Sequence, residues 1–329
     1  MNKPKVLSFG ELLYRLQSNS SDFFNEKSAS IFGCPGGSEA NVAVTLAQLH
    51  IPSEYVSIAP ANKLTSEIIN TLNSKGVTTD KFIYKGDRLG SYILLGANGL
   101  TNGEVIYDRK YSSFASIKVE DIDWDLIFED ISWFHWTALT PALGEELVAV
   151  CEKALEVATA KGIFISVDLN YRNKLWQYGK DPIEVMPKLI DYCDLIMGNI
   201  WAANKMLGTS IEEAWSGDRI SLDYFSISKR IAHEVFEKYS RCKHVAFTFR
   251  FMDNAKHNLL YGTYHNSDGD YLSKQFETNE LIDRIGSGDA FMGGLIAAVV
   301  NEYDGQQIID FATEIGFKKL FVKGDFITI

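Results

Sequence analysis

Positive charge falls short of negative in this 329-residue chain: 32 lysines and arginines face 43 aspartates and glutamates, a formal net charge of −11. No basic run interrupts that balance, and a protein that grips phosphate backbones needs a basic face or tail, so nucleic acid is excluded as the expected partner. Cysteine is scarce too. Cys34, Cys151, Cys193 and Cys242 lie far apart with no CxxC pair, which excludes a disulfide framework read from spacing and suits reduced thiols in the cytoplasm. Long apolar runs are missing: Phe291–Val300 is interrupted by Gly293-Gly294 and falls far short of the ~20 residues a membrane helix needs, so no membrane span is expected. Met1-Asn2-Lys3-Pro4-Lys5 leads straight into Val6–Phe9 without an apolar leader, so no signal peptide is expected, and Asn19-Ser20-Ser21, though a glycosylation triplet, reads as a polar loop. Two phosphate motifs are also absent. There is no GxxxxGK[ST], and Gly286-Ser287-Gly288 has Phe291 where a dinucleotide fingerprint needs its third glycine, which excludes a Walker kinase and a Rossmann dehydrogenase.

What remains is a chain with 46% hydrophobic residues, enough for a packed core. From about residue 120 short apolar runs alternate with amphipathic stretches: Ile131–Trp136, Glu145–Ala160, Ile163–Val167, Ile183–Asp191, Leu195–Met197, then a helix over Tyr224–Tyr239 and a strand over His244–Phe249. This is the α/β pattern. A hairpin over Tyr261–His265 and Tyr271–Phe276, turning at Asp268-Gly269, precedes helices over Asp289–Asn301 and Gln306–Phe317. Asp80–Lys110 differs: Phe82–Tyr84, Tyr92–Leu95 and Val105–Tyr107 are short β-type runs with turn signals at Asn98-Gly99 and Asn102-Gly103. The expectation is one α/β domain over 1–329 with a lid insertion at roughly 80–112, to which part of 11–35 is a further candidate contributor. An antiparallel edge of the main sheet is the plain alternative.

The sharpest motif is Asp283-Arg284-Ile285-Gly286-Ser287-Gly288-Asp289, glycines leading into an apolar helix. Bare amides at Gly286, Ser287 and Gly288 make an anion site, because unsatisfied donors and the helix dipole both favour negative charge. A carboxylate there would repel a phosphate unless it had a task, and Asp289 is suited to accept the proton of a hydroxyl attacking a phosphoryl group. A simple helix cap is the competing reading. A second glycine turn, Gly36-Gly37-Ser38-Glu39-Ala40-Asn41-Val42-Ala43, also opens a helix and would let a polyol approach the backbone, with Asn41 offering both hydrogen-bond senses. Asp168-Leu169-Asn170-Tyr171-Arg172 follows a strand, where open α/β sheets bind ligands.

The Gly36–Ala43 and Asp283–Gly294 blocks together resemble the two signatures of the ribokinase-like (PfkB) carbohydrate kinases, and the similarity of element order covers essentially the whole chain. The resemblance implies a three-layer α/β/α sandwich with a small β-sheet lid, Asp289 as catalytic base and Gly286–Gly288 as the anion hole. Within the family the chain is most similar to 2-keto-3-deoxygluconate kinases, on Tyr92, Tyr107-Asp108-Arg109 and Asp168–Arg172 followed by Leu175-Trp176. That implies a sugar-acid substrate, its carboxylate met by Arg109 and Arg172, with Gly10, Gly37, Asn41, Tyr92, Tyr107 and Asp325 in the sugar site. It further implies ATP and Mg²⁺, with a monovalent cation such as K⁺ a further candidate, and Asn199 and Arg250 on the nucleotide side. A homodimer is expected through an exposed lid face carrying Tyr92, Ile93 and Ile106. The chain departs from the family at Ala202, where a glutamate usually helps order magnesium, at Arg284 in place of threonine, and around Thr248–Phe251, where no glycine-bearing nucleotide loop is recognisable. A kinase of a neutral sugar such as fructose and a catalytically weak sugar-acid sensor stay open as alternatives.

Overall fold

In the computed structural model, residues 3–18, 31–95, 104–211, 223–254 and 256–329 are described. The Asn19-Ser20-Ser21 triplet and both Asn-Gly turn signals of the lid lie outside them. The strands are β1 (Val6–Phe9), β2 (Leu13–Ser18), β3 (Ile31–Gly36), β4 (Ser53–Val56), β5 (Ile58–Ala59), β6 (Ile83–Tyr84), β7 (Gly90–Leu95), β8 (Glu104–Asp108), β9 (Trp133–Thr137), β10 (Phe164–Asp168), β11 (Leu195–Gly198), β12 (His244–Phe251), β13 (Asn258–Asn266), β14 (Gly269–Leu272) and β15 (Phe276–Thr278). The helices are α1 (Ser38–Gln48), α2 (Lys63–Ser74), α3 (Trp124–Ile127), α4 (Glu145–Ala160), α5 (Pro182–Ile190), α6 (Ile200–Leu207), α7 (Tyr224–Lys238), α8 (Ser287–Val300) and α9 (Gly305–Lys318).

The main sheet runs β14-β13-β12-β11-β10-β9-β1-β4, parallel from β4 to β12 and antiparallel beyond, with β15 also on β13. Its central strands are apolar on both faces, as a sheet covered twice requires. Successive residues serve opposite cores: Leu7, Phe134 and Ile196 pack with α3 to α7, while their neighbours Val6, Trp133 and Leu195 pack with α1, α8 and α9. The result is the expected α/β/α layering.

The small sheet, the lid, runs β3-β2-β7-β8 and draws two strands from Leu13–Gly36 and two from Gly90–Asp108. Two expectations need correction. Phe82–Tyr84 is not lid: β6 pairs with β5, because Phe82 is buried in the α2 cluster with Ile69 and Leu72. Tyr92 and Ile93 do not share a face either. Alternation on β7 turns Tyr92 inward with Arg15 and Tyr107, and leaves Ile93 and Ile106 outward beside Leu16.

Candidate active site

Parallel strands end where Glu11, Thr137, Asp168 and Asn199 follow or close β1, β9, β10 and β11, and the lid's inner face stands over these ends. Between them lies a cleft of about 460 Å³. It brings together Gly37, Asn41, Tyr92, Tyr107, Arg109, Arg172, Arg250, Gly286, Gly288, Asp289 and Asp325, residues drawn from both glycine blocks, the lid, the ends of β10 and β12 and the Asp325 segment. A smaller adjoining chamber shares Asp168, Asn170, Arg172, Arg250 and Gly288 and adds Asn199, Trp201 and Thr248.

Asp289 is the junction. It lies in the first turn of α8, and both of its oxygens accept hydrogen bonds from α1: Oδ1 from Ser38 Oγ at 2.5 Å, Oδ2 from Asn41 Nδ2 at 2.6 Å. Ser38 and Asn41, three apart on one helix, face the same way. Asn170 Nδ2 donates to Ser38 Oγ at 2.9 Å, and Asn170 N–H donates to Asp168 Oδ1 at 2.9 Å, so the two acids are ends of one hydrogen-bonded chain. Burial raises Asp289 above the ordinary carboxylate range, opposed by the Asn41 and Ser38 bonds. Burial, then the charge of Asp289, pushes Asp168 up to about 7.

The turn before α8 has Gly286 at φ +80°, a left-handed conformation that suits glycine. Ser287 was expected among the converging amides, and here the structure differs. Its N–H closes back on Arg284 O at 3.3 Å and its buried hydroxyl is covered by Arg250, so Gly286 and Gly288 line the helix mouth without it. Arg172, Arg250 and Arg284 border the same cleft. Desolvation, then like charge from Arg284 and Arg172, draws Arg250 down.

On the lid side Asp325 is spoken for. Tyr92 Oη donates to its Oδ2 at 2.6 Å, and Arg15 Nε lies 3.2 Å from its Oδ1. Arg15, fully buried on β2, also holds Asp283 at 2.7 Å. Burial raises Asp325 to about 6 against the pull of Arg15. Arg109 lines the cleft but is not free to serve it whole: its Nε donates to buried Glu11 Oε2 at 2.5 Å, and Ser112 holds the other Glu11 oxygen.

Gly10 is a second correction. It does not line the cleft; a Cβ there would lie 2.0 Å from the carboxyl of Glu39, so its smallness admits that buried acid, which Thr137 Oγ1 bonds at 2.6 Å. Asn199 lies in the adjoining chamber, its Oδ1 capping α6 through Ala202 N–H. Ala202 itself is buried in the apolar core. Strand β12 runs through Thr248–Phe251 in register with β13, in place of a glycine loop. Sequence reasoning passed over Ser38, Arg15, Glu11 and Arg284 as site residues. Ser38 had a signal, since it follows the Gly36-Gly37 turn one helical turn before Asn41.

A family model described as "pfkB family carbohydrate kinase" matches residues 3–325. The 2-dehydro-3-deoxygalactonokinase of Haloferax volcanii is 26% identical over 326 residues, spanning 98% of this chain and 92% of its own. Fructokinase-2 of Solanum habrochaites is 23% identical over 305 residues, spanning 90% and 82%. Among solved structures, the 2-dehydro-3-deoxygluconokinase of Thermotoga maritima superposes with a TM-score of 0.88 at 34% identity, covering 99% of this chain and 96% of that one.

Proposed function

Because the chain belongs to the pfkB family of carbohydrate kinases, we propose that it transfers the γ-phosphoryl group of ATP to the terminal primary hydroxyl of 2-keto-3-deoxygluconate or a close sugar acid. The observation that carries this reading is Asp289, clamped through both oxygens beside the Gly286 turn and facing a cleft bordered by arginines. Asp289 takes the hydroxyl proton as that oxygen forms its bond to the γ-phosphorus and the bond to the ADP oxygen breaks. The amides of Gly286 and Gly288, with Arg250 and Arg172, meet charge on the transferring group. Arg109 and Arg172 suit the sugar carboxylate, and Tyr92, Tyr107, Gly37, Asn41 and Asp325 the rest of the sugar. The 2-dehydro-3-deoxy sugar-acid kinases among the relatives favour this class over fructose.

Among the described residues no group of three or more His, Cys, Asp or Glu is placed to hold a metal ion. Mg²⁺ would be carried mainly on ATP phosphates and water, and Asp168 borders both chambers. Mg²⁺ so bound would neutralise phosphate charge. Two copies would pair through the outward lid face, where Ile31 and Ile106 are 47% and 42% exposed.

The test is ADP release with ATP and Mg²⁺ on 2-keto-3-deoxygluconate, fructose and ribose in parallel, with Asp289→Asn as control. We expect turnover on the sugar acid, and a loss of about 10²–10⁴-fold in the variant with sugar binding kept. Sugar-acid binding without turnover in the unmodified protein would replace the enzyme by a sensor; turnover confined to fructose would replace the sugar acid.

A further inference from the structure

A lysine is buried directly behind the turn that receives the phosphoryl group. Lys319 follows α9, opens a short 3₁₀ turn over Lys319–Phe321, and is 0% exposed. Taking an ammonium out of water is costly, so its setting must repay the burial. Nζ donates to Val322 O at 3.0 Å, and its nearest charges are the carboxylates of Asp283 and Asp325, the guanidinium of Arg15, and Asp289. It does not line the cleft.

The stem of Lys319 runs against the turn. A Cβ on Gly286 would sit 3.4 Å from Lys319 Cε and 2.4 Å from Asp325 O. The two chain segments that meet there are stitched by their backbones. Ile282 N–H and Asp283 N–H donate to Leu320 O at 2.7 and 3.1 Å, and Gly324 N–H donates to Asp283 Oδ2 at 3.1 Å. The ammonium therefore lies in the seam between the approach to the anion turn and the Lys319–Asp325 segment.

Charge gives the seam its purpose. Asp283 and Asp325 share Arg15 and Lys319 as their cations, while Asp289 is answered by Arg172 as well as Lys319. Without Lys319, Asp283 and Asp325 would be left with Arg15 alone, beside a site that must accept a polyphosphate. The ammonium meets the carbonyl oxygen of Val322, and carbonyl oxygens are also the ligands with which proteins hold potassium.

We propose that Lys319 is a resident cation of the phosphoryl-transfer site, holding the Ile282–Gly286 approach to the anion turn in place, so that ATP binds without a monovalent metal ion. It is a positioning residue, acting through Gly286. The inference rests on the phosphoryl-transfer reading, and the two fail separately: absence of ADP release defeats that reading, whereas ATP binding decides this one.

The experiment is calorimetry of ATP on the full chain in choline chloride and in potassium chloride at equal ionic strength. The unmodified protein is expected to bind with the same affinity in both, within about twofold. Lys319→Met and Lys319→Ala are expected to bind at least about tenfold more weakly in choline. Ammonium or potassium should restore Lys319→Ala, which leaves room for an ion, and leave Lys319→Met unrestored; a purely structural lysine would give no such rescue. Tightening of the unmodified protein by potassium of about tenfold or more overturns the inference, as does unchanged affinity in Lys319→Met. Should the variants fail to fold, the salt comparison on the unmodified protein decides the matter alone.

Discussion

Asp289 has both oxygens occupied before any sugar arrives, and that arrangement does two things at once. The Ser38 and Asn41 donors fix the carboxylate's direction, and they favour its ionised form against a burial that disfavours it. Removing one donor should therefore move a titration as well as a rate. In Asn41→Ala the acid limb of kcat/KM is expected to shift to higher pH, with kcat down about tenfold and the sugar KM changed less. An unmoved limb would show that Asn41 serves the sugar alone. Asp289, Asn41 and the Gly286 turn were legible because each stands in a local motif whose spacing has a physical meaning. Lys319, Glu11 and Arg15 were not, because their meaning comes from distant partners: Glu11 meets Arg109 across 98 positions, and Arg15 meets Asp283 across 268. No window along the chain contains both members of such a pair.

The lid strands show what alternation settles and what it leaves open. Periodicity marked β7 and β8 as strands, but which face turns inward depends on register against β2, which only the assembled sheet fixes. Phe82–Tyr84 had the same β-type composition and went elsewhere, since the two-residue pairing of Ile83 and Tyr84 follows the burial of the preceding Phe82 ring. Arg109, just after β8, pairs with buried Glu11 and also lines the cleft. Arg109→Ala should weaken sugar-acid binding while scarcely altering fructose binding. It should also cost about 3–5 kcal/mol in urea unfolding, because Glu11 is left buried and unpaired. Adding Glu11→Gln should recover part of that stability and none of the binding; recovery of both would make Arg109 a structural residue only. On the outward face, Ile106→Glu is expected to convert a dimer to a monomer in sedimentation velocity, and an unchanged sedimentation coefficient would place any pairing elsewhere.

Across the whole molecule, buried titratable groups pull stability in opposite directions with pH. Burial raises Glu39 to about 7, so between the ordinary carboxylate pKa of about 4 and that value the native state holds a proton that the unfolded chain has released. Its contribution therefore falls as pH rises through that window. Burial lowers His135 to about 3 and His244 to about 4, so their contribution has the other sign and is lost as pH falls below about 6.5. The sum is flattened, and a difference isolates one group. Glu39→Gln keeps an acceptor for Thr137, and its stability relative to the unmodified protein should be near zero at pH 4 and rise to about 1–3 kcal/mol more stable by pH 8 in urea melts. A pH-independent difference would mean that Glu39 stays ionised. The buried Arg15 pairs with Asp283 and Asp325 have a consequence of another kind, in time. Arg15 is synthesised 268 residues before Asp283, and Asp325 follows later still, so the lid strand waits through the making of that whole stretch with an unanswered cation. The lid cannot settle early, and the cleft beneath it stays incomplete until the Asp283–Asp325 stretch has emerged.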